Sequence, residues 1–453
     1  MIGIIYTVGS FLVAISILIA FHEFGHYWVA KRLGVKVLRY SIGFGKPIWR
    51  KIAGADKTEY VIAAIPLGGY VKMLDEREGE VAEAEKGRAF NRQKVWKRFA
   101  IVLAGPFFNL MFGVLAFLLV ALIGTTGLKP VIGLVKPGSP AAQAGLQTGM
   151  EIVSVDGWRT PIWGAVMQEM LPRLVDRSHL NIKAKNKDGL VQDYRMDLQR
   201  INPNVISQQP YRALGLYVFN IPAKVGSFAD ISPAKKAGLK IGDRIIRIDG
   251  HPIHDWTDIS QYVVGRPNQT LAVAVERDGK VMNFKIHTHA MQYKGRTIGR
   301  IGIGAVQHFK KLTKEDYATF RLGLLEGIAY SFHRTWTVTD TTLRALWLIL
   351  TTKMSVKNIS GPISIAVTAG ESASLGVVQF IIFLALVSIS LGILNLLPIP
   401  ILDGGHLMYY VYEFVSGKPV SEAVEIVGQR IGIFLLVLLM LVAFYNDITR
   451  YIF

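Results

Sequence analysis

Four stretches of the sequence carry no charged side chain: residues 1–21, 99–128, 372–402 and 431–446. About 20 apolar residues in a helix cross the roughly 30 Å hydrocarbon layer of a bilayer. Inside that layer every backbone N–H and C=O needs a partner within the chain, which favours helices over irregular structure. The pattern predicts a polytopic α-helical membrane protein with four transmembrane helices. The last run, 16 residues long, is marginal and has to extend into flanking sequence or let its end residues reach back to the interface. A hydrophobic share of 51% and a mean hydropathy of +0.33 agree with this class.

The first run ends in Phe21-His22-Glu23-Phe24-Gly25-His26, the pattern H-E-x-x-H. Ionisable side chains at membrane depth are costly and are mostly kept for function. On a helix His22 and His26 share one face a turn apart. That spacing lets two imidazoles hold one Zn²⁺, with Glu23 beside them to take a proton from water. The alternative is a partly buried histidine pair with a capping role. The absence of cysteine excludes thiolate ligands, so any metal relies on His, Asp or Glu. His22 lies roughly 13 Å along the helix from Lys31 at ~1.5 Å per residue, inside the bilayer and nearer the Lys31 side. The segment has no basic leader and does not read as a cleavable signal peptide.

Residues 31–98 hold 16 Lys and Arg against eight Asp and Glu. By the positive-inside rule this loop faces the cytoplasm and the N-terminus lies outside. The net charge of +18 is read as topology, because no nucleic-acid-binding motif accompanies it. Within the loop, residues 37–49 and 58–73 alternate apolar and polar side chains and include Gly43, Gly45, Gly68 and Gly69. They predict a β-hairpin or small sheet. The run is too apolar for a solvated loop, so it is expected to dip toward the membrane beside the metal site. An open edge there suits an unwound substrate segment. In the second apolar run, Gly105-Pro106 and Asn109 are expected to mark a kinked helix with one satisfied amide, rather than a contact near the active site.

From Lys129 to about Phe309 the composition turns to that of a soluble protein, and a repeat emerges. Ser139-Pro140-Ala141 returns as Ser232-Pro233-Ala234, Ala144-Gly145-Leu146 as Ala237-Gly238-Leu239, and Asp156-Gly157 as Asp249-Gly250, each at an offset of 93 residues. The shared pattern resembles PDZ domains, which capture a peptide C-terminus by adding it as a strand. Spacers or steric screens are the alternative. Gly242-Asp243 in the second copy replaces Gly149-Met150 in the first, so the two need not share a ligand. Residues 324–352 are apolar but interrupted by Glu326, His333, Arg334, Asp340 and Arg344, as in an amphipathic helix lying on the outer membrane interface.

The third run closes on Asn395-Leu396-Leu397-Pro398-Ile399-Pro400-Ile401-Leu402-Asp403-Gly404-Gly405-His406. The prolines stop the helix. Asp403, after a long apolar run, is a costly carboxylate unless paired. As a third ligand beside His22 and His26 it would complete an open two-histidine, one-carboxylate zinc site. The alternative for Asp403 is a helix N-cap. His406 is expected to support the site or to be structural.

H-E-x-x-H in a first span, N-x-x-P-x-P-x-L-D-G closing a third, and the tandem PDZ-like repeat between the second and third together resemble the site-2 protease family of intramembrane zinc metalloproteases. The resemblance covers essentially the whole chain. The repeat and the Gly43-Phe44-Gly45 turn are most similar to the branch that regulates bacterial envelope stress. The resemblance implies one Zn²⁺ on His22, His26 and Asp403, Glu23 as general base and later acid, and Asn395 as a contact to the substrate backbone. It also implies a membrane-re-entrant β-loop, including Gly43, Phe44, Gly45, Gly68, Gly69 and Tyr70, that holds substrate extended. The implied substrate is a single-span membrane protein such as an anti-sigma factor, cut within its membrane segment after a first protease has trimmed it. Remnant signal peptides are also implied.

The expected architecture is therefore four transmembrane helices, a membrane-associated β-hairpin or sheet, and two inserted periplasmic PDZ domains of α+β type. Its divisions are a first span at 1–33, a loop with the β region at 34–95, a second span at 96–127, and PDZ domains at 128–220 and 221–309. An amphipathic region at 315–360, a third span at 372–402, a following segment at 403–426 and a fourth span at 427–450 complete it. Both termini and the PDZ domains fall in the periplasm of a bacterial inner-membrane protein. Expected partners are the bilayer, a single-span substrate and peptide C-termini, with no nucleic acid. A membrane scaffold with an inert H-E-x-x-H would hold no stoichiometric zinc. A metal transporter fits less well, since one compact His₂–Asp set beside large soluble modules does not describe an ion path.

Overall fold

The computed structural model describes residues 2–176, 178–199, 201, 213–293, 296–306 and 312–451. In chain order the main elements begin with α1 (Ile2–Arg32), β1 (Val37–Ala53), β2 (Thr58–Met73) and α2 (Val95–Ile123). A first α+β module follows with β3 (Glu151–Val155), β4 (Trp158–Arg159), α3 (Trp163–Asp176), β5 (His179–Lys185) and β6 (Val191–Asp197). A second has β7 (Arg244–Ile248), β8 (His251–Pro252), α4 (Trp256–Val264), β9 (Thr270–Arg277) and β10 (Lys280–His287). The chain ends with α5 (Leu324–Leu350), α6 (Pro362–Ser374), α7 (Val377–Asn395), α8 (Asp403–Ser416) and α9 (Glu422–Tyr451). Two compact units result: Met1–Thr125 with Arg321–Asp447, and Thr126–Phe320 with Ile448–Phe453.

Among the described residues, four helices are long and apolar enough to cross a membrane: Gly3–Arg32, Val95–Ile123, Val377–Asn395 and Glu422–Tyr451. The third is shorter than the charge-free run that contains it. Gly376 takes a left-handed φ of +114° and separates α6 from α7. Pro398 and Pro400 cannot donate to a helical ladder, so α7 ends at Asn395. The fourth grows to 30 residues by recruiting polar sequence on both sides of its apolar centre.

In the first unit α2 is the hub, with α1, α5, α7 and α8 packed on it. Without a hydrophobic drive between helices in lipid, such contacts depend on small residues and close packing. Gly25 of α1 touches α2 so closely that a Cβ would lie 2.5 Å from the Ala104 carbonyl oxygen. Ser388 of α7 donates to the Asn109 carbonyl at 2.9 Å. α5 buries Gly327, Tyr330, Ser331, Arg334, Thr335 and Thr337 along one face. Its other face exposes Leu325, Phe332, Trp336, Trp347 and Leu350, giving an amphipathic helix.

β1 and β2 form an antiparallel pair that folds back on itself. Tyr40 and Ser41 pair with Val71 and Tyr70 on one side and with Tyr60 and Val61 on the other, while residues 47–53 pair with 58–63. The ribbons are therefore ordered 69–73, 37–42, 59–62 and 47–53, which leaves 69–73 at an edge. Gly43 and Gly45, at φ +96° and +88°, allow the sharp bend in β1. Tyr40 pins the sheet to α1 by donating to the Ala20 carbonyl at 2.8 Å.

In the second unit, the two modules share one topology, with strand orders β4-β3-β5-β6 and β8-β7-β9-β10. Each repeated serine caps a short helical turn: Ser139 accepts from the Ala142 N–H and Ser232 from the Lys235 N–H. Each Asp-Gly pair adopts positive φ at both residues, the backbone a tight hairpin turn requires. The Met150/Asp243 difference lies inside the modules. Met150 packs in the first core. Asp243 turns inward to accept two hydrogen bonds from Arg277 at 2.7 Å and one from the Lys240 N–H at 2.8 Å. The substitution therefore exchanges a core contact for an internal ion pair, and it does not report on ligand choice.

Candidate metal centre

α1 presents His22 and His26 a turn apart, with ring centroids 4.9 Å from each other. α8 brings Asp403 to the same point from more than 370 residues along the chain. Its Oδ2 lies 3.2 Å from His22 Nε2 and 3.5 Å from His26 Nε2. The two Nε2 atoms are 3.3 Å apart. Among the described residues, His22, His26 and Asp403 form the one group of three metal-ligating side chains whose donor atoms lie within 4.8 Å of one another.

These residues fit a divalent cation. Asp403 Oδ2 is buried yet accepts no hydrogen bond, and a buried carboxylate oxygen without a donor calls for a positive partner. His26 uses Nδ1 on the Ile101 carbonyl at 2.8 Å. That bond fixes the tautomer and turns the Nε2 lone pair toward Asp403. Two imidazoles and one carboxylate, with no sulfur, match the His₂–carboxylate donor set of catalytic zinc.

Asp403 is the first residue of α8, with Leu402 at the cap position, so its side chain does not serve as the cap. The segment before it closes on itself, Ile399 N–H donating to Leu397 O at 2.7 Å and Leu402 N–H to Ile399 O at 2.8 Å. The two glycines after Asp403 lie against that turn: a Cβ at Gly404 would sit 2.2 Å from the Leu397 oxygen, and one at Gly405 2.4 Å from Pro400 Cα. P-x-P-x-L-D-G-G thus encodes a folded turn that drives a helix start, carrying a carboxylate, into the helical bundle.

Glu23 is buried. Its pocket is walled by Gly69 of the edge ribbon, where a Cβ would lie 2.8 Å from Glu23 Cγ. The turn residues Gly43, Phe44 and Gly45 face the other ribbons, with Phe44 stacked on Tyr70 at 6.2 Å between centroids. A Cβ at Gly68 would collide with the Phe44 ring. Asn395 is half-buried at the last turn of α7. His406, one turn beyond Asp403, lines a cavity of about 580 Å³ with Arg77, Arg98, Tyr410 and Glu413 and does not join the donor cluster.

A family model described as Peptidase family M50 matches residues 10–439. The chain belongs to peptidase family M50. The M50 peptidase is 41% identical over 455 residues to "Regulator of sigma E protease" of Salmonella typhi, covering 99% of this chain and 100% of the relative. It is 40% identical over 454 residues to "Regulator of sigma-E protease RseP" of Escherichia coli (strain K12), again covering 99% and 100%. Among solved structures, the PDZ domain of an SdrC-like protein from Listeria monocytogenes matches 20% of this chain and 93% of its own, at 26% identity and a TM-score of 0.17. That score is too low to carry a fold assignment. As an M50 peptidase the chain is a zinc metalloprotease that acts within the membrane.

The expectation for Gly105-Pro106 and Asn109 needs correcting. A Cβ at Gly105 would lie 2.3 Å from His26 Nε2 and 2.7 Å from His22 Cε1, so α2 passes directly behind both histidines. Asn109, fully buried, has its amide 3.0 Å from His22 Nδ1. The signal that would have found them is an uncompensated amide in a membrane-length run, one turn after a glycine.

Proposed function

We propose that this M50 peptidase is a site-2 protease that hydrolyses a peptide bond within the membrane segment of a single-span protein. The observation that carries this is the convergence of His22 and His26, on a helix of membrane length, with Asp403 at the start of α8, beside buried Glu23. One Zn²⁺ would be held by those three side chains, where it supplies a Lewis acid for the scissile carbonyl. Glu23 takes a proton from the attacking water and returns it to the leaving nitrogen. A substrate helix hides its carbonyls in its own hydrogen bonds and must unwind first. The ribbon at 69–73 offers an unpaired edge against which the unwound segment adds as a strand. Gly43, Phe44, Gly45, Gly68, Gly69 and Tyr70 shape that ribbon and its bend, and Asn395 contacts the substrate backbone near Asp403.

The relatives' names support a role in regulating a sigma factor, with an anti-sigma factor as substrate. The basic loop 31–98 supports a cytoplasmic-side placement for the β-ribbon. Both termini and the two repeated modules, read as PDZ domains at 128–220 and 221–309, then lie in the periplasm of a bacterial inner membrane. There the modules screen substrates by size or bind peptide C-termini.

The test compares wild type with Glu23→Gln in detergent, measuring bound zinc and cleavage of a single-span substrate with a short outer tail. One zinc in both, with cleavage lost by at least about 10²-fold in the variant, is expected for removal of a general base. Equal cleavage by the variant would rule out Glu23 as the base, and no zinc in either would rule out the peptidase site itself. Because the chain has no cysteine, single-cysteine variants at Lys51 and Gln192 report topology directly. Labelling of position 51 from the periplasm would overturn the orientation.

A further inference from the structure

We propose that Asn109 is a positioning residue for His22, and that its amide presents oxygen, not nitrogen, to the ring. The proposal rests on the zinc site argued above. Asn109 is fully buried in α2, and one end of its amide sits 3.0 Å from His22 Nδ1. With nitrogen at that end, the amide donates to Nδ1 and Oδ1 is left buried with no partner. The same arrangement forces the His22 proton onto Nε2, which points at Asp403 and His26. A protonated Nε2 has no lone pair to give a metal.

The two ends of an amide have nearly the same shape, and their assignment follows from the hydrogen-bond network. A half-turn places Oδ1 against Nδ1, which then carries the proton and donates it. Nε2 is left as a ligand. His26 already follows this pattern, its Nδ1 meeting a carbonyl oxygen from Ile101. Ile101, Gly105 and Asn109 lie on successive turns of one stripe of α2. That stripe reads acceptor, gap, acceptor: a backbone oxygen orients one histidine, a bare glycine makes room for both, and a side-chain oxygen orients the other. The backbone oxygen comes with the helix, whereas the second acceptor depends on residue 109 being Asn. Ser388 and Gly392 of α7 hold Asn109 from the far side, the hydroxyl donating to its backbone carbonyl at 2.9 Å and a Cβ at Gly392 reaching to 3.1 Å of its Cβ.

The test measures zinc affinity by chelator competition in wild type, Asn109→Leu and Asn109→Asp, and records one-bond and two-bond ¹H–¹⁵N spectra of ¹⁵N-histidine-labelled, zinc-loaded wild type. Asn109→Leu removes the acceptor at similar volume and should weaken zinc 10–100-fold, the usual cost of losing a partner behind a ligating histidine. Asn109→Asp can only accept and should hold zinc within a few-fold of wild type. In wild type the His22 Nδ1–H should appear as a hydrogen-bonded, downfield proton. Unchanged affinity in Asn109→Leu, a loss in Asn109→Asp as large as in Asn109→Leu, or a wild-type His22 without that proton would each overturn the proposal. The spectrum needs no variant to fold. Wild type without stoichiometric zinc would instead overturn the metal site and the proposal together.

Discussion

Gly69 in β2 backs onto Glu23 in α1: a Cβ there would lie 2.8 Å from Glu23 Cγ, 2.7 Å from Ile19 Cγ2 and 2.8 Å from the Ser41 carbonyl oxygen. Neither a backbone oxygen nor the stem of a buried glutamate yields cheaply. Gly69→Ala must therefore push the edge ribbon away from Glu23. A displacement of about 1 Å at a reacting centre costs on the order of 10²-fold in rate. The expected result is a loss of that size in cleavage, with zinc content unchanged because the atoms nearest that Cβ belong to Ile19, Glu23 and Ser41 and not to His22, His26 or Asp403. A variant that cleaves at the wild-type rate would show that the sheet does not set the geometry around Glu23.

Gly105→Ala makes the opposite separation. Its methyl would sit 2.3 Å from His26 Nε2, and His26 cannot swing aside without leaving the Ile101 carbonyl. The variant should bind zinc at least about tenfold more weakly, comparable to losing an orienting partner. Overpacking should also destabilise the helical unit by about 1–3 kcal/mol. Dialysis against a weak chelator followed by metal analysis checks it, and full retention of zinc would exclude this close approach.

The parts of the molecule legible in the sequence are those set by local rules. H-E-x-x-H is visible because two imidazoles that converge from one helix need a fixed spacing, and Asp403 because a carboxylate after a long apolar run demands a partner. The repeat is visible because Ser139 and Ser232 cap equivalent turns and Asp156-Gly157 and Asp249-Gly250 make equivalent hairpins. What stayed hidden depends on which surfaces meet. Asn109 reaches His22 across 87 residues through the crossing of α1 and α2, and no local pattern dictates that crossing. The double pairing of Tyr40, to Val71 and to Tyr60, follows from bends at glycines whose direction the alternation of side chains does not encode. Asp243 against Met150 looked like a difference in ligand because only a structure tells an inward carboxylate from an outward one.

Asp447, near the end of α9, caps a helix it does not belong to. Fully buried, it accepts from the Gly361 N–H and the Ser364 N–H at 3.0 Å each, and from the Ser364 hydroxyl. α6 starts at Pro362 after a glycine that has no side chain to cap with, so its first N–H groups depend on this distant carboxylate. Beside it, Asn446 donates to the Val356 and Ile359 carbonyls at 2.7 and 3.1 Å. Asp447→Ala strands those donors and should cost about 2–3 kcal/mol, in the range for buried groups left unpaired beside a lost charge. The readout is limited trypsin digestion: cleavage after Lys357 should accelerate in the variant. Equal digestion rates would show that the carboxylate is not what fastens this end of α9.

In the second module, Asp243 gives a pH signature that the first module lacks. Burial alone would raise its carboxyl, but the Arg277 guanidinium and the Lys240 N–H outweigh burial and hold it below the ordinary 3.8. At 1% exposed, the carboxylate is shielded from solvent. A folded-state value below the unfolded one means that the ion pair stabilises the module fully above pH 3.8 and progressively less as pH falls toward the lower folded value. Met150 stands at the equivalent position in the first core and titrates nowhere. Hydrogen exchange on the whole protein, corrected for intrinsic rates, should therefore show protection of β7 and β9 falling below about pH 4, while β3 and β5 change less. Asp243→Asn keeps the shape but loses the charge-assisted pair, and should cost about 2 kcal/mol at neutral pH. It should also remove the difference in acid response between the modules. If both modules lose protection together in wild type, or if Asp243→Asn keeps the steep acid response, the pH sensitivity of the second module has another source.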